Sequence, residues 1–126
     1  MRVAVVGHVE WADFARVERM PVPGEIVHAL SSWEEPAGGG AVAAVQLARL
    51  AGKCLFLTTL GDEELGHRAH TELGALGVRV EAAWRDEPQR RAFVHVDATA
   101  ERTITVTGGR LGPSADDPLP WSERRG

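Results

Sequence analysis

Apolar and polar positions alternate along the chain in short runs of two kinds, some with the period of a strand and some with that of a helix. Val3 to Val6 is a β-branched run closed by Gly7, the pattern of a buried parallel strand. Residues 10–20 mix charged and apolar positions and read as a loop leading into an edge strand. Pro21-Val22-Pro23-Gly24 marks a turn. Glu25 to Leu30 then alternates as a half-exposed strand does, and Ser31 to Pro36 is polar and loop-like. From Ala41 to Ala51 nearly every position is apolar, so a largely buried helix is predicted, opened by Gly38-Gly39-Gly40 and closed by Gly52. Lys53 to Leu60 reads as a second buried strand. Asp62 is the predicted N-cap of a helix over residues 63–76, whose first turn carries Glu63 and Glu64. Gly77 ends that helix, and Val78 to Trp84 forms a third strand. This alternation predicts a mainly parallel sheet with right-handed crossovers. Ala92 to Val96 and Thr103 to Val106, separated by the polar residues 97–102, then read as an antiparallel hairpin. The tail from Gly108 carries little periodicity.

Composition narrows the classes. A chain of 126 residues is one small domain. Its net charge of −4 argues against a nucleic-acid surface. No apolar stretch approaches the ~20 residues of a membrane span, and the N-terminus is too short for a signal peptide, so a cytoplasmic protein is expected. Cys54 is the one cysteine and sits in an apolar run, which excludes an intrachain disulfide and predicts an inert buried thiol. His67 and His70 share a helix face, but two ligands are too few for a zinc site, and no metal is expected. His8, His28 and His95 show no partner set. Arg90, Arg91 and Arg102 suit either phosphate contacts or surface ion pairs. The four tryptophans read as packing residues, with Trp11 the candidate for a stacking surface.

Three motifs stand in order. A strand ending in Gly7 is followed by Met20-Pro21-Val22-Pro23-Gly24-Glu25. Gly38-Gly39-Gly40-Ala41-Val42-Ala43 opens a helix, and Gly61-Asp62-Glu63-Glu64-Leu65-Gly66 follows the next strand. Asp97-Ala98-Thr99-Ala100-Glu101-Arg102-Thr103-Ile104 forms the hairpin turn. Over nearly the whole chain this order resembles the ribokinase-like (phosphofructokinase B type, PfkB) carbohydrate kinases. The resemblance implies an α/β fold, the N-terminal part of a three-layer α/β/α sandwich, with a small β-sheet lid built near residues 14–30 and 91–107. It implies transfer of the ATP γ-phosphoryl group to an alcohol of a sugar or nucleoside-like molecule, and a homodimer formed through the lid.

The substrate's chemistry points to particular residues. Each desolvated sugar hydroxyl needs a partner. Gly38, Gly39 and Gly40 let a helix N-terminus and its N–H donors approach closely. Glu10 and Asp13, near the carboxyl end of the first strand, are the candidate acceptors.

The sequence also departs from the family. In an ungapped alignment the family's sugar-binding Asp falls on Ala12, Glu10 takes the usual Asn place, and the helix Asn falls on Ala43, which counts against ribose itself. The family's catalytic Asp sits in a Gly-Ala-Gly-Asp segment that these 126 residues lack. No catalytic residue is therefore assigned. ATP and Mg²⁺ are expected for the complete family enzyme and neither for this chain alone. We read it as an inactive fragment or incomplete product. A non-catalytic ligand-binding or lid-mediated dimerisation module is the alternative. Half of a dinucleotide-binding domain is disfavoured, because Gly7-His8-Val9-Glu10 lacks Gly-x-Gly-x-x-Gly.

Overall fold

The apolar runs build two sheets in the computed structural model, which describes residues 2–125. In chain order the elements are β1 (Ala4–Val6), β2 (Glu10–Arg16), β3 (Ser31–Ala37), α1 (Gly39–Ala51), β4 (Cys54–Gly61), α2 (Glu64–Ala75), β5 (Val78–Arg85), β6 (Arg91–Val96) and β7 (Arg102–Thr107), followed by a 3₁₀ turn at Trp121–Arg125. One sheet is parallel, in the order β1-β4-β5, with Ala4 opposite Leu55 and Cys54 opposite Val78. The other runs β3-β2-β6-β7; its central pair β2-β6 is parallel and both outer pairs are antiparallel.

Both helices pack on one face of the parallel sheet. Ala41, Ala44 and Ala48 of α1 and Ala69 and Leu73 of α2 share a buried cluster with Cys54, Phe56 and Leu60 of β4. Small alanines let α1 lie close to the strands. Only that stripe is buried: Val42 is 60% and Leu50 74% exposed, so the expectation of a largely buried helix is corrected. Gly52 closes α1 in the left-handed region (φ 88°) and donates its N–H to Ala48 O. On the sheet's other face Thr59 Oγ1 donates to Leu111 O and buries Leu111. The Cys54 thiol is buried, and desolvation raises its pKa. Among the described residues no helix is long and apolar enough to cross a membrane.

Four local expectations are corrected. Residues 10–20 are no loop into an edge strand: Glu10–Arg16 is a central strand. Its period was hidden because both faces are covered, Trp11 entering the main core while Ala12 and Phe14 join a second cluster with Ala92 and Val94. Ser31–Ala37 is a strand, not a loop; an edge strand exposed on both faces needs no apolar alternation. Glu25–Leu30 is not a strand. Ile26 is 87% exposed there, and Glu25 instead closes the turn through Arg19, at 2.6 and 2.7 Å. Asp62 does not cap α2. Its N–H still serves the β4-β5 edge, donating to Arg85 O, so the cap falls one residue later on Glu63, whose side chain accepts from Gly66 N.

The start of α2 rests directly on the end of β4. A Cβ on Gly66 would lie 1.8 Å from Gly61 O, backbone against backbone, whereas one on Gly74 would meet nothing within 4 Å. Gly66→Ala is expected to abolish the cooperative melt or lower its midpoint sharply. Gly74→Ala, in exposed helix, is expected to stabilise by about 0.5–1 kcal/mol. Thermal unfolding of the two variants checks both.

The tail is fastened by Arg85, which donates to both Asp117 oxygens at 2.6 and 2.7 Å. That guanidinium, helped by the Ser114 N–H, holds the Asp117 carboxyl below its ordinary value. A depressed folded pKa contributes stability above the unfolded value, near 3.9, and that stability is lost as pH falls through the folded value. Asp117→Asn is therefore expected to destabilise at pH 7, with its difference from the parent in thermal melts shrinking progressively as pH falls below about 3.9.

Candidate functional site

The two sheets meet where β1 leaves its carboxyl end, and three glycines make the meeting possible for different reasons. A Cβ on Gly40 would stand 2.8 Å from Gly7 C, His8 N and His8 O, so α1 begins in backbone contact with the β1-β2 link. Gly38 holds φ 89°, and a Cβ there would stand 3.0 Å from Glu10 N. Gly39 faces open space. No side chain caps α1, so its first-turn N–H groups, the positive end of the helix, are left for solvent or a ligand.

Glu10 stands beside this helix start, paired with Ala37 across the β2-β3 ladder. Its Oε1 accepts from Arg90 Nε at 3.0 Å and lies 3.5 Å from His8 Nε2. Both contacts use Oε1, leaving Oε2 as the oxygen that can accept from a ligand. The three side chains are only 17–21% exposed, so the ion pair is shielded from bulk water. Gln89 fixes this arrangement from beneath. Its buried amide accepts from Gly61 N at 3.0 Å and donates to Val9 O at 2.8 Å, tying the residues next to Glu10 and Arg90 to the end of β4.

Gly38, Gly39, Gly40 and Glu10 are thus together, and Asp13 is not with them. Three residues along a strand turns a side chain to the opposite face. Asp13 there accepts from Arg91 Nη2 at 2.7 Å, and Arg91 in turn covers the Phe93 ring at 4.9 Å. Trp11 shares that face. It is fully buried, donates to Glu34 at 3.0 Å and carries Arg68 over its ring at 4.5 Å, so it packs and offers no stacking surface to a ligand. Reading the residues in order missed Arg90 as the partner of Glu10, Gln89 as the clamp, and Trp33, 37% exposed on the Glu10 face. The signal was present only in the strand parity of residues 10–16, which the loop assignment discarded. His67 lies 2.7 Å from Asp62 Oδ1 and stacks on Trp84 at 4.1 Å. Among the described residues no three His, Cys, Asp or Glu side chains gather as a metal cage.

A cavity of about 310 Å³ opens at the amino-terminal ends of β1 and β4, lined by Arg2, Lys53, Arg79 and Glu123 among others. It lies at the wrong end of the strands for a site in an open α/β sheet.

A parallel α/β layer with a second sheet hung from its carboxyl-end links, and an acceptor at the seam, defines a partial ribokinase-like α/β protein. The chain belongs to the pfkB family carbohydrate kinases, whose pattern matches residues 1–123. It is similar to a ribokinase of Dictyostelium discoideum, 28% identical over 109 residues, covering 85% of this chain and 34% of the relative. It is similar to a fructokinase of Vibrio alginolyticus, 37% identical over 83 residues, covering 64% of this chain and 26% of the relative. Its fold matches the structure of Arabidopsis thaliana ribokinase complexed with ribose and ATP, with a TM-score of 0.64 at 27% identity, over 86% of this chain and 36% of that one. The chain therefore spans about a third or less of the length of these relatives.

The start of α2 is closed by the Glu63 carboxylate, which accepts from both Gly66 N and Gln89 N, and Gly38 before α1 packs against the Glu10 backbone. A polyanion would meet negative charge at the start of α2.

The glycines can be separated by measurement. Gly40→Ala is expected to cost several kcal/mol, since two backbones must part, and Gly39→Ala less than about 1 kcal/mol. Urea melts showing equal losses for the two would contradict the contact assigned to Gly40.

Proposed function

We propose that the chain is the substrate-binding part of an ATP-dependent carbohydrate kinase, receiving a sugar or nucleoside-like molecule at the seam between the two sheets. The observation that carries this reading is the free oxygen of Glu10 beside the uncapped start of α1. A hydroxylated ligand needs an acceptor and donors at one place, and the seam offers both. Arg90 holds Glu10 in place at 3.0 Å, so the carboxylate accepts a hydroxyl hydrogen without having to reorganise. Gly39 lets the ligand approach the helix backbone. The four-stranded sheet serves as the lid. It is joined to the α/β layer through the links at Gly7–Val9, Gly38, Gln89 and Gly108, the last at φ 89°, and swinging it over the ligand would exclude water.

The base and anion hole for phosphoryl transfer are not among these residues, so the chain by itself is read as binding without turnover. A second reading, a module in which lids of two copies pair, is favoured by one feature: all six residues of β7 are exposed and its outer edge is open.

Calorimetric titration of the purified chain against a panel of sugars and nucleosides tests the first reading. Glu10→Ala is expected to weaken binding roughly tenfold or more, the loss of a hydrogen bond to a charged group, while Asp13→Ala leaves it unchanged. Binding indifferent to Glu10, or dependent on Asp13, would overturn the assignment. Ligand-dependent ADP release by the chain alone would overturn its inactivity.

A further inference from the structure

The parallel sheet has two faces, and the helices cover only one. Val3, Val5, Cys54, Phe56, Val78 and Val80 pack on the helix side. Successive residues of a strand alternate between faces, so Arg2, Ala4, Lys53, Leu55 and Arg79 belong to the other side. Pairing brings them together. Ala4 stands opposite Leu55 and Leu55 opposite Arg79, and Val3 O accepts from Leu55 N at 2.9 Å just ahead of β1. The tail crosses this second face. It is fixed at Thr59 through Leu111 and at Arg85 through Asp117, toward the carboxyl ends of the strands. The turn at Trp121–Arg125 then brings Glu123 to Arg79 near their amino-terminal ends. Between sheet and turn lies the cavity of about 310 Å³, the size at which small-molecule sites begin.

Positive charge gathers there against the trend of the chain. The net charge is −4 and Lys53 is the only lysine, yet Lys53, Arg2 and Arg79 all line this cavity, together with Ala4 and Leu55. Among the described residues neither Arg2 nor Lys53 is paired with a carboxylate. Arg79 is paired twice. Its Nε donates to Glu81 at 3.2 Å, and its two terminal nitrogens donate to the two oxygens of Glu123 at 2.8 and 3.4 Å. A guanidinium fork on both oxygens of one carboxylate is how arginine holds the carboxylate or phosphate of a ligand. Glu123 thus shows the site with an anion in place, supplied by the chain itself. Both partners are about half exposed, so this clamp is weak and exchangeable. The tail does not depend on it, because Trp121 Nε1 donates to Asp117 O at 2.9 Å and Asp117 is held by Arg85. With Glu123 turned away, the three cations face Glu81 alone, an excess of positive charge that suits a dianion.

We propose that this cavity binds a small phosphate monoester in place of the Glu123 carboxylate. The dianionic head takes the fork of Arg79 and the point charges of Arg2 and Lys53. The organic body lies on Ala4 and Leu55. This end of the strands is not where an open α/β sheet holds its substrate, and the lining selects for charge: a neutral polyol gains none of the ion pairing. The proposal therefore stands whether or not the seam holds a sugar. Glu123 acts as an internal competitor, and a bound ester frees the last turn of the tail from Arg79.

Phenyl phosphate, inorganic phosphate and phenol are titrated into the 126-residue chain at about pH 7.5, where the ester is a dianion. Calorimetry gives the affinities. Reductive methylation leaves the Lys53 charge in place, and because Lys53 is the only lysine it gives a single lysine side-chain signal to follow by NMR. Phenyl phosphate is expected to shift that signal to saturation and to bind several-fold tighter than inorganic phosphate, through the apolar floor. Phenol is expected not to bind. Glu123→Gln is expected to tighten phenyl phosphate about threefold by removing the competitor. Arg79→Ala is expected to weaken it about tenfold or more, and Arg79→Lys to restore only part of the loss, since a point charge forms no fork. No binding of phenyl phosphate by either the parent or Glu123→Gln would overturn the proposal. So would binding indifferent to Arg79→Ala, or equal affinity for phenyl phosphate and inorganic phosphate. Weaker binding in Glu123→Gln would give Glu123 a supporting role in place of a competing one and would also overturn it.

Discussion

Backbone contact between Gly40 and the Gly7–His8 peptide is the constraint on which the rest of this structure depends. A helix can start against a strand exit at that distance only if the approaching residue has no side chain, and a Cβ at Gly40 would stand 2.8 Å from three backbone atoms. Because α1 starts there, its unpaired N–H groups and the carboxylate of Glu10 occupy one corner. Because β2 leaves from the same corner, the second sheet hangs from the layer where ligands of open α/β sheets are held. Remove the contact and the acceptor, the donors and the hanging sheet lose their common origin.

Energetically the corner is a compromise. Glu10 and Arg90 are shielded enough that each would be costly alone, so the pair is kept for placement more than for net stability. Gln89 completes the arrangement with an amide that offers one acceptor to Gly61 and one donor to Val9, the two groups that the glycine-tight turn leaves inside. Stability comes mainly from the alanine-lined cluster under the helices, and the corner is free to be polar.

The parallel layer was legible from the sequence because its signals are local. Val3 to Val6 and Lys53 to Leu60 are apolar runs closed by Gly7 and Gly61, Val78 to Trp84 follows directly on Gly77, and Gly52 and Gly77 fall at the helix ends where φ is positive. The second sheet was legible only in its hairpin. β2 is buried on both faces by different partners, and β3 is exposed on both, so neither shows the period-two alternation that identifies a strand. That one error carried into the site. With residues 10–16 taken as loop, Glu10 and Asp13 looked equivalent and Trp11 looked available. As a strand, the same residues put Glu10 with Ala12 and Phe14 on one face and Trp11 with Asp13 on the other. Trp33 could not be singled out, since its importance lies in facing Phe14 across a ladder whose register no local pattern reveals. The three glycines were read as one motif, although two are required by the chain's own geometry and only Gly39 is left open for something else.

The central claim is that a hydroxylated ligand is held at the carboxyl-end seam. Amide shifts of the isotopically labelled chain, recorded while adenosine is added, test it most directly. The account predicts changes centred on Glu10, Gly38 to Ala41 and Arg90, with Asp13 and Arg91 still. Changes centred instead on Arg2, Lys53 and Arg79, around the cavity at the far end of the strands, would contradict it.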